Sequence, residues 1–295
     1  MTNYVLCGGS TADLTCEHFR RRGIEPICFH YSIDEREYVD DMGQTLSFPE
    51  FYQAMRDGGE TRTWQLNAED YSEFFRPYLA EGRDIVYVCL SSGLSGTYNS
   101  ACLAAEDLLQ EFPDRHIWII DSLGASSGYG MLLDDLADLR DAGASAEELY
   151  NYAMDNRLKI HHWFFSTDLT FYIKGGRISK TSGMVGTLLG ICPLLNMNSE
   201  GKLIPRQKVR TKRKVMAEIV NKMAEHADGG ENYCGKCYIC HSDCYDDAKS
   251  LAETVTARFP NISGDVEIYD IGTTIGSHSG PGTVALFFHG DERAL

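Results

Sequence analysis

The densest set of chemically able side chains is Leu90-Ser91-Ser92-Gly93-Leu94-Ser95-Gly96-Thr97-Tyr98-Asn99. It follows a β-rich run and leads into a helical one. Free N–H groups and the positive end of the dipole at a helix start suit an anion, glycines let backbone approach, and hydroxyls add donors. A tight Gly/Ser turn that merely caps a helix has the same composition. Gly93-Leu94-Ser95-Gly96-Thr97 also comes close to the nucleophile elbow of a serine hydrolase, but that motif has glycine where Thr97 stands. A Ser95 nucleophile would need a histidine base, and the sequence does not say which histidine is near.

Three further segments carry reactive types. Gly276-Ser277-His278-Ser279-Gly280-Pro281-Gly282 sets a histidine among small residues, where a ring nitrogen could donate to an anion and protonation would strengthen the contact. The plain alternative is a glycine-rich turn before the last strand. Lys174-Gly175-Gly176-Arg177 reads as a mobile positive loop, able to meet phosphate or a partner's carboxylates, but lacks the spacing of a P-loop. Cys234, Cys237, Cys240 and Cys244 have the spacing of a ferredoxin-type cluster. Against a metal or redox site, Tyr245 replaces the usual proline, no second cysteine run exists, and an extended Tyr238–His241 separates the thiols onto opposite faces. No metal and no cofactor are expected. The basic run Lys208–Lys214 leads into a helix, the unfavourable end for cations, and is read as a solvated face.

The elements that must position these groups alternate through the first half. Strands are predicted at Tyr4–Cys7, Ile27–Tyr31, Asp84–Leu90 and His116–Asp121. Helices are predicted from Ser10–Asp13 onward and at Pro49–Met55, Thr97–Gln110 and Tyr129–Asp141. Strand–helix alternation means a parallel sheet with right-handed crossovers. Ser145 and Glu148 have capping-box spacing and open a helix ending near Arg157. Beyond it the pattern changes. Strands at Trp163–Phe165, Tyr238–His241, Val266–Tyr269 and Thr283–Phe288 join a hairpin of Cys192–Met197 with Lys202–Arg206. Helices are read at Asp168–Ile173, Met184–Leu189, Thr211–His226 and Tyr245–Phe259. The expectation is a two-domain α/β protein: residues 1–155 around a parallel sheet with flanking helices, residues 156–295 around a mixed sheet with helices.

The chain has 295 residues, 43% of them apolar, and a formal net charge of −16. It is long enough for two cores. The acidity argues against nucleic acid and anionic lipid surfaces as general partners. The start lacks the basic residues and long apolar core of a signal peptide, and no stretch approaches a membrane span. A cytoplasmic protein without stable membrane insertion is expected, its ten cysteines reduced.

Together the motifs resemble the DegV family, which includes the fatty-acid-binding subunits of bacterial fatty acid kinase. Ser10-Thr11-Ala12-Asp13-Leu14 is similar to its opening segment, with Gly9 in place of the first Asp. Thr63 and Gln65 match its second motif, where Trp64, Leu66 and Asn67 depart. Asp41 stands where the family usually has Gly. Ser91–Tyr98, Lys174–Ser179 and His278–Gly282 match closely. The resemblance implies a long-chain fatty acid such as palmitate in the interdomain cleft, its carboxylate held by Thr63 and Ser95 with His278 nearby. Ser92 and Thr97 are further candidates. It also implies docking of a separate ATP-binding kinase subunit through Arg177 and Lys174. That partner would supply nucleotide and Mg2+ for acyl phosphate formation, so this chain itself would not be an enzyme. The rival reading is an enzyme in its own right, by Ser95 hydrolysis or at Cys234–Cys244.

Overall fold

A computed structural model describes residues 3–179 and 191–295. In chain order the elements are β1 (Tyr4–Gly9), a 3-10 turn (Ser10–Ala12), α1 (Cys16–Arg21), β2 (Glu25–Ile27), β3 (His30–Ile33), β4 (Arg36–Val39), α2 (Phe48–Arg56), β5 (Thr61–Trp64), α3 (Ala68–Ala80), β6 (Asp84–Cys89), α4 (Thr97–Glu111), β7 (Ile117–Asp121), α5 (Ser127–Asp141) and α6 (Ala146–Asn156). They continue with β8 (Ile160–Ser166), α7 (Thr170–Lys174), β9 (Ile191–Met197), β10 (Leu203–Arg210), α8 (Lys212–His226), a second 3-10 turn (Gly230–Asn232), β11 (Cys237–His241), α9 (Tyr245–Arg258), β12 (Glu267–Asp270), α10 (Thr273–Ser279) and β13 (Thr283–His289).

β-Rich runs without polar alternation must be covered on both faces. Accordingly β1 and β6 are buried almost throughout and lie at the centre of an all-parallel sheet of order β2-β1-β6-β7. The second large sheet has the order β10-β9-β8-β13-β11-β12 and is antiparallel except for β11 with β12. A small antiparallel sheet, β4-β3-β5, carries Thr63 opposite Tyr31.

Strand alternation sorts the apolar side chains into layers. Val5, Cys7, Ile85 and Tyr87 pack outward against Tyr71 and Phe75 of α3 and Ala101 and Leu108 of α4. Leu6, Val86 and Val88 face inward, into one cluster with α5, α6 and the inner face of the second sheet, including Phe164, Tyr238 and Phe287. That sheet's far face packs Trp163, Phe165 and Ile239 beneath α8 and α9. α5 lies between two sheets and is buried from Ser127 to Ala137, and the carboxylates Asp134, Asp138 and Asp141 along one of its faces meet Arg22. The path leaves the first large sheet for the second between α6 and β8. Among the described residues no helix is long and apolar enough to cross a membrane.

Several local expectations change. Ser10–Asp13 makes a 3-10 turn, and the helix begins at Cys16, where the Thr15 side chain accepts from His18 N–H. Ile27–Tyr31 is not one strand: its two ends belong to different sheets. At the break, Phe29 N–H donates to Ser10 Oγ at 3.1 Å. The segment around His278 is the last turn of helix α10, not a glycine-rich loop. β5 and α3, absent from the sequence reading, are present. The helix read at Met184–Leu189 lies outside the described residues.

Candidate functional site

In the order β2-β1-β6-β7 the chain runs one way from β1 and the other way from β6, so the carboxyl ends of β1 and β6 form a switch point, the usual ligand crevice of an open α/β sheet. A cavity of about 450 Å³ opens there, between the two large sheets and α10. That volume is within the usual range of ligand pockets. Its wall is chiefly apolar, with Leu90 and Leu94 from the first sheet's side, Phe164, Ala285 and Phe287 from the second, and Ile275 from α10.

The polar end is built from four segments. Thr63 comes from β5, Ser95 from the turn into α4, His278 from α10 and Arg177 from the turn after α7; all four line the cavity. Thr63 Oγ1 and His278 Nε2 are 2.8 Å apart, and Arg177 Nη1 is 3.4 Å from His278 Nδ1. A guanidinium only donates. Nδ1 therefore accepts, Nε2 carries the ring hydrogen, and Thr63 Oγ1 receives it. The hydrogen of Thr63 is left to point at an acceptor in the cavity. Ser95 Oγ similarly accepts from Thr97 N–H at 3.3 Å, which frees its own hydrogen. Arg177 also donates to Leu94 O at 3.2 Å and Gly175 O at 2.7 Å, tying the Ser95 turn to the histidine. The end result is two hydroxyls polarised as donors at one end of an apolar chamber.

Burial, with Arg177 second, pushes the His278 imidazole down to about 4. It is neutral at pH 7, which corrects the expectation that a protonated ring strengthens the grip. Arg177, itself lowered by burial, turns inward rather than standing in solvent as a mobile loop would. Gly175 permits this packing: a Cβ there would lie 2.4 Å from His278 Nδ1. Gly96 similarly admits Gln65, whose Oε1 would be 2.6 Å from an added Cβ.

The other candidates fall elsewhere. Ser92 is exposed and outside the lining; its N–H donates to Asp121 Oδ1 at 3.1 Å. Thr97 is buried behind the wall, its hydroxyl 2.9 Å from Tyr71 OH. Lys174 is exposed and paired with Glu60 at 3.0 Å. Both ring nitrogens of His278 are engaged, and its basicity is low, so it is not placed to take a proton from Ser95. Cys237 belongs to the far-face core and Cys240 to the inner one. Among the described residues no metal-ligating group of three includes the four thiols. Burial raises Cys237 and Cys240 and pushes Cys244 up to about 12, the protonated and unreactive condition.

Sequence reasoning did not single out Ser126, His162 or Cys240 as cavity residues. Ser126 Oγ donates to the buried carboxyl of Asp13 and is 3.1 Å from Cys240 Sγ. Burial raises Asp13 well above the carboxylate range. His162 Nδ1 bonds Ile160 O at 3.0 Å, and Nε2 accepts from Ala125 N–H at 3.3 Å. The one available signal was the period-two alternation of β8, which aims His162 and Phe164 at the same face.

Residues 8–291 match the family model described as "Uncharacterised protein, DegV family". A DegV domain-containing protein of Clostridium perfringens is 35% identical over 293 residues, 99% of each chain. A protein of Thermotoga maritima named "Fatty acid-binding protein" is 30% identical, covering 96% of each chain. A solved structure from Thermus thermophilus, described as "Fatty Acid Binding of a DegV family Protein", has TM-score 0.85 and 28% identity, covering 98% of this chain and 99% of that one.

Proposed function

This chain belongs to the DegV family, and from that premise we propose that it holds one long-chain fatty acid between a domain of residues 1–155 and a domain of residues 156–295. The carboxylate sits against Thr63 and Ser95. The observation that carries this reading is the relay Arg177–His278–Thr63, which leaves the Thr63 hydroxyl hydrogen free for an acceptor in the cavity. An acyl chain gains about 0.8 kcal/mol per buried CH2, so on the order of 10 kcal/mol for a long one before the costs of association. A carboxylate buried without partners would cancel much of that. Two polarised hydroxyls satisfy it directly, while the one inward cation, Arg177, is held by Leu94 O and Gly175 O and reaches the grip through His278.

The acid so held keeps an oxygen that is hydrogen-bonded but not ion-paired, suited to attack on a phosphoryl group. The finer reading is that the protein hands its ligand to a separate ATP-dependent kinase subunit for acyl phosphate formation, with Lys174 and the turn that carries Arg177 at the docking face, the Arg177 side chain itself being turned towards His278 rather than towards a partner. This step rests on the family resemblance. The chain would then be a cytoplasmic lipid-binding subunit without catalysis of its own.

Binding measured by calorimetry for palmitate and its methyl ester tests the grip. Hydrogen bonds to a charged group contribute about 1.5–3 kcal/mol each. Thr63→Ala and Ser95→Ala should therefore each weaken the acid roughly 10- to 100-fold while leaving the ester's weak binding unchanged. Equal affinity for acid and ester in the wild type would overturn it.

A further inference from the structure

Consecutive histidines on β8 point to opposite faces of their sheet, as a strand requires. His162 lines the cavity. His161 packs on the far face, stacked between Phe288 and His226 with centroid separations of 5.1 and 4.9 Å. There it meets Asp291, just beyond β13. His161 Nε2 is 2.9 Å from Asp291 Oδ1 and 2.9 Å from Asp291 O; His226 Nδ1 is 3.2 Å from the same Oδ1. One ligand atom from each of the three side chains lies within 4.8 Å of the other two, and no other such group occurs among the described residues.

We propose that His161, His226 and Asp291 bind one divalent transition-metal ion, on the face of the sheet opposite the lipid cavity. Two imidazoles and a carboxylate suit Zn2+, Co2+ or Ni2+ rather than Ca2+ or Mg2+, which take oxygen ligands. Arms of about 2.0–2.1 Å in tetrahedral geometry separate ligand atoms by about 3.3 Å. The observed nitrogen–oxygen separations are already close to that.

The backbone pre-arranges the set. Asp291 N–H donates to His226 O at 3.0 Å. Gly290 runs so close to the end of α8 that a Cβ would lie 2.1 Å from His226 O. The helix end and the tail are thus locked together before any ion arrives. The Asp291 side chain is 64% exposed, which leaves a path in and a position for water. The surrounding charges are mixed: Glu225 lies 4.0 Å from His226 Nε2, Lys222 pairs with Glu225, and Arg293 faces His161. An ion on His161 Nε2 would move the ring proton to Nδ1, which is buried and has no partner, a cost the metal–ligand bonds must exceed.

The consequence would fall on the tail. Arg293, two residues on, donates to Leu123 O, Arg157 O and Asn198 O, joining loops from both halves. An ion at Asp291 would hold that clamp in place.

The test uses the tag-free full chain, stripped with chelator and then dialysed against Zn2+ or Co2+. Elemental analysis should give one ion per chain, with Tm raised by several degrees. The Co2+ form should show weak visible bands of nitrogen and oxygen ligation without near-ultraviolet thiolate absorption, which separates this site from the ten cysteines. His226→Gln and Asp291→Asn, both at the surface, should each weaken the ion at least tenfold and leave fatty acid affinity unchanged. Sub-stoichiometric binding, a thiolate spectrum, or undiminished binding in both variants would overturn the proposal.

Discussion

His278 does its work as a neutral ring. Its folded value of about 4 lies below the roughly 6.5 of an unfolded chain, so between those values the unfolded state binds more protons and stability rises with pH. The contribution is fully present above about 6.5 and lost as pH falls through 4. Urea midpoints measured from pH 4 to 8 should therefore climb to about 6.5, and His278→Gln should reduce that climb by one histidine's share, since buried His161 and His162 contribute in the same range. An unchanged slope would mean the ring is not held neutral. Ser95 was legible from sequence because strand, turn and helix announce an anion site by themselves. Thr63 was not: it came from resemblance, because a lone threonine between Arg62 and Trp64 carries no chemical signal. Nor could the sequence reveal that Arg177 turns inward, since that depends on Gly175 meeting a ring from a distant helix.

At the scale of elements, what was legible followed the local rules. The long apolar strands and the Ser145–Glu148 capping box appear where expected. β5 and α3 did not, because four residues of β5 hold too little alternation and the capping box of α3 uses Asn67 and Asp70 in place of Ser and Glu. α10 was misread because its glycines suggest a turn. Packing overrides that cost: a Cβ on Gly276 would lie 2.5 Å from Tyr52 OH, so the helix is admitted only because a glycine stands there. Its exit is as strict. Gly280 has φ +67° and ψ 174°, a region essentially confined to glycine, and a Cβ would lie 2.1 Å from the Phe171 ring. Gly280→Ala should cost about 1–3 kcal/mol for the backbone conformation alone, and more with the clash. Chemical denaturation reads this, and palmitate affinity should fall with it because His278 is displaced.

For the whole molecule, α5 is the shared middle layer, and its Asp134 gathers groups from both halves. His18 is 3.1 Å away, Arg22 2.9 Å, Lys236 2.6 Å and Tyr238 3.0 Å. Burial raises this carboxyl, but His18, Lys236 and Arg22 outweigh it and hold it well below the usual carboxylate range. Its contribution is present above about pH 4 and lost as pH falls below that. Asp134→Asn should destabilise the protein at pH 7 by about 3 kcal/mol, the low end for a broken buried pair because Lys236 keeps Asp135 and Asp138. The gap between variant and wild-type thermal midpoints should close towards pH 2. The change from parallel alternation to a hairpin-bearing pattern was readable along the chain. That one helix layer serves both sheets was not, because Asp134 and Asp135 read in sequence as a solvent-facing stripe although both are buried.

The most direct measurement of the central claim is a crystal structure of this protein with bound palmitate. The account predicts carboxylate oxygens about 2.5–3.0 Å from Thr63 Oγ1 and Ser95 Oγ, with the acyl chain running past Ile275, Phe164 and Phe287. A palmitate whose carboxylate lies instead at the Ser126 and His162 end, or whose chain lies outside the cavity, would contradict it.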